Sequence, residues 1–105
     1  MTEDDASEAA DQAVDHDRLL AGEDPTTRHV EDAEMWTAVY GELTAFKQDL
    51  VASTEARVAA MLPEGAQELR ETDLPILRAE AERLNRRLEF WRRRLNELSG
   101  GSTTR

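Results

Sequence analysis

The sequence predicts an all-α fold: an antiparallel two-helix coiled-coil hairpin with a disordered acidic N-terminal tail. Three observations carry that expectation. Leu77, Ala81, Leu84, Leu88, Trp91, Leu95 and Leu98 recur at alternating spacings of four and three. On an α-helix this places all seven on one narrow stripe, the seam that a coiled coil buries. A second stripe precedes it at Trp36, Val39 with Tyr40, Leu43, Phe46 and Leu50, and Leu62-Pro63-Glu64-Gly65 separates the two. Finally, a chain of 105 residues that is 39% hydrophobic, 34% charged and 5% aromatic suits elongated helices with one buried face better than a thick core.

The elements follow in chain order. Residues 1–27 hold nine acidic groups against Arg18 alone, a net of −8 out of −10 for the whole chain. So little apolar surface does not offset the entropy of ordering, which predicts a disordered, solvated tail. Within it, Val14 to Leu20 follows Ala9, Ala10 and Ala13 and ends at Gly22, a pattern for a transient helix stopped by glycine. Leu19 and Leu20 are its candidate anchors, should the tail fold onto a partner.

Asp24-Pro25-Thr26-Thr27 reads as a helix start. Glu31, Asp32 and Glu34 then complement the positive end of the helix dipole. The first long helix is placed at residues 28–61. Beyond Leu50 its spacing relaxes to steps of four through Thr54 and Val58 to Met61 or Leu62, a stutter that straightens a supercoil. Gly41 is its weak point, about 1 kcal/mol worse than alanine in a helix interior.

Pro63 turns the preceding residue away from helical geometry, so residues 62–73 form the turn, with one extra helical turn around Ala66–Glu71. Thr72 or Asp73 caps the second helix, residues 74–99, and Pro75 is tolerated in its first turn. Gly100-Gly101 stops it, leaving residues 100–105 as a frayed end. Pivoting the hairpin about residues 67–68 sets Leu50 against Leu84, Phe46 against Leu88, Leu43 against Trp91 and Val39 against Leu95. The same pivot brings Glu31, Asp32, Glu34 and Glu42 alongside the arginines of the second helix. Met35, Tyr40 and Phe90 flank the seams, surplus apolar surface that predicts homodimerisation into a four-helix bundle.

For function, the sequence excludes more than it selects. It has no cysteine, hence no disulfide or thiolate site, and a reducing compartment is the simpler expectation. No apolar run approaches the roughly 20 residues of a membrane span, and the acidic start lacks a secretory h-region; a cytoplasmic protein is expected. Lys47 is the only lysine beside twelve arginines, a skew typical of a GC-rich bacterial genome. Asp15-His16-Asp17 lies in the segment expected to be disordered, and His29 with Asp32 has too few neutral-nitrogen ligands, so neither is expected to be a metal site. No phosphate loop or Ser–His–acid set is visible. No catalytic residue, metal or cofactor is therefore expected.

The densest feature is Arg83, Arg86, Arg87, Arg92, Arg93 and Arg94, with Phe90 and Trp91 among them. The expectation is a non-catalytic protein–protein interaction module, a small bacterial adaptor or regulator whose protein partner the sequence does not name. Trp36, Tyr40, Phe90 and Trp91 are its candidate aromatic anchors. Arg86, Arg87, Arg93 and Arg94 are the candidate charged contacts, with Leu19 and Leu20 on the tail. The alternatives are a nucleic-acid-associated protein using those arginines, which the acidic tail disfavours by repelling phosphates, and a self-assembling structural coiled coil. A further expectation is that the tail folds back over the arginines as a removable cover.

Overall fold

A computed structural model describes residues 2–100. Four helices and no strand are found among them: α1 (Glu3–Ala13), α2 (Val30–Ala59), α3 (Pro63–Glu71) and α4 (Asp73–Leu98). No helix among the described residues is long and apolar enough to cross a membrane. Together they make an elongated body of 54 × 30 × 24 Å. The two long helices form the expected antiparallel hairpin. Their ends fall within two residues of the predicted bounds; of the expected frayed end at 100–105, residues 101–105 lie outside the described residues. Gly100 takes a positive φ of 73°, the left-handed geometry with which glycine closes a helix.

Where the sequence predicts a disordered tail, the structure has two ordered pieces. Thr2 and Asp5 form a reciprocal capping box, and Glu3, Asp4 and Asp5 sit in the first turn of α1. These local terms support a helix that hydrophobic content alone does not predict. Ala6 and Ala10, four apart, are its buried residues and face α4 and α3. Small side chains let the backbones approach closely, so α1 docks without a large apolar residue. Residues 14–29 then form a strap that crosses the hairpin before α2 begins.

The helix-start signal at Asp24–Thr27 serves the strap rather than capping α2. Asp24 Oδ1 accepts from the Thr26 amide at 2.9 Å, and the Thr27 amide bonds the Asp24 carbonyl at 3.1 Å. Thr27 Oγ1 donates to Asp32 in the first turn of α2 at 2.6 Å. His29 holds the N-cap position without a side-chain cap.

The connection between the long helices is also more structured than expected. Pro63 occupies the first turn of α3, where its missing N–H costs nothing, and the helix runs nine residues. The added helix α3 packs against both α2 and α4, and next to it Glu55 of α2 pairs with Arg78 of α4 at 2.7 Å, close to the predicted register at this end.

Further from the connection the register differs from the predicted one. Trp91 stacks on Trp36 with ring centroids 6.4 Å apart, not on Leu43. Lys47 pairs with Glu80 at 3.9 Å, and Leu84 shares a groove with Leu43 rather than meeting Leu50. The slip at these pairs is seven residues, about two helical turns.

Its cause lies in α2, whose buried residues are Ala33, Trp36, Tyr40, Thr44 and Val58. Ala33 leaves room for the indole of Trp91, and the Trp36, Tyr40, Phe90 and Trp91 rings pack together. Such ring pairs contribute about 0.5–1.5 kcal/mol each beyond their buried area, enough to decide between two otherwise similar registers. Phe46, predicted in the seam, is left 65% exposed. On α4 the predicted seam holds: Leu84, Leu88 and Trp91 are buried, and Leu77, Ala81, Leu95 and Leu98 are half-buried.

Candidate functional site

Arg83, Arg87, Phe90 and Arg94 recur along α4 at spacings of four, three and four, so they share one face, with Trp91 at its edge. That face holds the strap. Residues Leu20-Ala21-Gly22-Glu23 make a tight turn in which the Glu23 amide bonds the Leu20 carbonyl at 3.0 Å. Gly22 has φ 84°, the value that the third position of a type II turn requires and that other residues resist. The turn tucks Leu20 against the aromatic cluster and aims the Glu23 side chain inward.

Glu23 has no exposed side-chain surface. Its carboxylate is nevertheless well satisfied. Oε1 accepts from the Tyr40 hydroxyl and, at 2.9 Å, from the Leu20 amide. Oε2 accepts from Arg87 Nη2 at 2.6 Å and from Trp91 Nε1 at 2.7 Å. Burial pushes this carboxyl upward, but the bonds from Tyr40, Arg87, the Leu20 amide and Trp91 outweigh it and hold the group below its usual range.

Tyr40 is pushed up, first by burial and then by the adjacent carboxylate. Burial alone would lower Arg87; its bond to Glu23 raises it instead. Arg87 also lies over the Phe90 ring at 4.5 Å and the Tyr40 ring at 5.9 Å, a cation–π arrangement that replaces lost hydration.

The remaining arginines hold the strap by its backbone. Arg94 donates to the Thr27 carbonyl at 2.7 Å through Nη2 and 3.2 Å through Nε, and to the Thr26 carbonyl at 3.5 Å. Arg83, itself buried, reaches the Arg18 carbonyl at 3.5 Å. The two ends of the strap and its middle are thus each gripped by an arginine.

The predicted site residues divide sharply. Tyr40 and Trp91 are fully buried and Trp36 nearly so, so these three build the hairpin and its acceptor site and present no free surface. Phe90 is half-buried beneath Arg87. Leu20 packs on the core whereas Leu19 stays exposed. Arg87 and Arg94 grip the strap; Arg86 is exposed and pairs with Glu82 on its own helix, and Arg93 is exposed.

The expected acidic partners of the arginines, Glu31, Asp32, Glu34 and Glu42, are not the ones used. Asp32 bonds Thr27, and the buried ion pair goes to Glu23. The sequence reading missed Glu23 and Thr27, and noted Arg83 only within the arginine cluster. A signal for Glu23 existed: Tyr40 and Trp91 each bring a polar tip to a dry seam, where an unbonded donor is costly, so an acceptor had to come from elsewhere in the chain.

No protein-family model matches the chain, and neither a curated protein nor a solved structure matches it.

Proposed function

We propose that this chain is a non-catalytic protein–protein interaction module, a small cytoplasmic adaptor or regulator that presents the outer surface of its helical hairpin to a protein partner. The observation that carries this reading is Phe46, 65% exposed in the middle of a 30-residue helix. Met35, also exposed, lies on the same helix. A rigid helix makes an apolar anchor effective, because little of its freedom remains to be lost on binding.

Two further points support a binding role. A surface groove of about 420 Å³ between α1 and α4 is lined mostly by polar and charged residues, Glu8, Asp11, Arg78 and Glu82 among them, unlike the apolar walls that usually shape a substrate pocket. Arg83, Arg87 and Arg94 already hold the strap, which leaves fewer arginines for a phosphate backbone and favours a protein over a nucleic-acid partner. The strap's Glu23 also engages the buried Tyr40, one of the three flanking residues from which a homodimer is inferred.

A photo-crosslinking residue placed at Phe46 in the source cell tests the proposal. A discrete heterologous adduct at Phe46, absent when the same group replaces Glu97 at the far end of α4, is the expected result. No adduct at Phe46, or the same products from both positions, would remove the support for this surface.

A further inference from the structure

The strap is an imperfect occupant of the face that holds it. Arg83, Arg87 and Arg94 present three cations; Glu23 pairs with Arg87 and Glu97 of α4 itself with Arg94 at 3.5 Å, but no ion pair among the described residues includes Arg83. Arg87 Nε is buried without a hydrogen-bond partner. Buried Arg83 has a single 3.5 Å bond to a carbonyl. That carbonyl belongs to Arg18, which lines a groove of about 250 Å³ together with Arg83, Leu20, Leu43, Phe46 and Leu84. The Lys47–Glu80 pair at the groove's wall places Glu80 on Lys47, not on Arg83. The strap therefore offers Arg83 a neutral carbonyl, on a basic residue, where a buried cation calls for a carboxylate.

The face also recognises little that is peculiar to the strap. Its contacts are an apolar seat for Leu20, a four-donor cradle for the carboxylate three residues later, and guanidinium groups on backbone carbonyls at either end. Any chain can supply the carbonyls. Specificity rests on the leucine and the acid.

We propose that this face of α2 and α4 is a recognition site for an acidic segment of a partner protein, with a Leu-x-x-Glu core and a second carboxylate two residues ahead of the leucine, and that the chain's own strap is its displaceable resident. The incoming glutamate takes the place of Glu23 in the cradle, and the extra carboxylate takes the Arg18 position beside Arg83. The strap competes at the high effective concentration of a tethered segment, so occupancy turns on how much better the extra ion pair makes the rival. The proposal rests on the reading of the chain as a protein-binding module but not on the Phe46 surface. If the Phe46 adduct forms and the peptides below fail, only the present proposal falls.

Isothermal calorimetry of the full-length chain with synthetic peptides spanning residues 15–28 tests it. Three peptides are used: the native segment, its Arg18→Glu form, and the Arg18→Glu form that also carries Glu23→Gln. The Arg18→Glu peptide is expected to bind the Glu23→Gln chain at least tenfold more tightly than the wild-type chain, and more tightly than the native peptide does. The doubly substituted peptide is expected not to bind.

Absence of binding by every peptide to a Glu23→Gln chain that keeps its helical circular dichroism would overturn the proposal. So would dimerisation of that chain without peptide uptake, which would give the face to a second copy's strap. Should the Glu23→Gln chain not fold, native-state hydrogen exchange of the wild type decides. The Leu20, Glu23 and Thr27 amides must open well before the core of α4; their exchange only with global unfolding would make the strap a fixed part of the fold and end the proposal.

Discussion

At the scale of single residues, Glu23 ties the N-terminal third of the chain to the hairpin. Its carboxylate serves a phenol, a guanidinium, an indole and a backbone amide at once. Removing it strands Arg87 in a buried position, and breaking such a pair costs about 3–5 kcal/mol. Glu23→Ala is expected to lose stability of that order in urea titrations. The pH dependence has a definite sign. Because the folded carboxyl is held below its unfolded value, its contribution is complete at neutral pH. It fades as pH falls through the ordinary glutamate range, from about pH 5 downward, and is gone below the folded value. Glu23→Gln is expected to flatten this part of the melting-temperature profile; a profile as steep as the wild type's would contradict the assignment. Thr44 offers the opposite case. It is buried on α2 and its hydroxyl has no partner, so the isosteric Thr44→Val is expected to raise stability by about 1 kcal/mol in the same assay.

At the scale of elements, α4 was legible because its apolar residues fall on a single stripe with no competitor. α2 was not, because two overlapping stripes run along it. Val39, Leu43, Phe46 and Leu50 form the more apolar one, yet Ala33, Trp36, Tyr40 and Thr44 form the buried one. Hydrophobicity favours the first, and the space available for stacked rings selects the second. Pattern alone weighs residues one at a time and does not weigh how Trp91 fits over Ala33. Gly41 stands on this helix with open space where a Cβ would project. Gly41→Ala is therefore expected to stabilise the protein by about 1 kcal/mol through helix propensity alone, with a raised urea midpoint and an unchanged slope. A loss of stability would mean that α2 bends at this position.

At the scale of the molecule, the hairpin and its antiparallel sense were readable from two amphipathic runs and a proline-bearing break. The strap was not. Its composition is that of a solvated tail, and what orders it is one charge meeting donors some 64 positions later in the chain, a pairing that local sequence does not encode. The expectation of a cover over the arginines pointed to the right face without identifying Glu23 as the residue that fastens it. The register is open to a direct check, because Lys47 is the only lysine in the sequence. A zero-length carbodiimide coupling is expected to join Lys47 to Glu80, its partner at 3.9 Å. In the register predicted from the sequence Lys47 would lie opposite Arg87, and coupling to Glu89 instead of Glu80 would restore that arrangement.

The stacked indoles of Trp36 and Trp91, 6.4 Å apart, have a practical consequence. They are the only two tryptophans of the chain, and the ring N–H of one of them ends on the strap's carboxylate. Both emitters of the protein therefore sit at the one joint whose opening matters most, and their excited-state coupling and emission colour should change together when it parts. The molecule carries its own unlabelled gauge of whether it is closed.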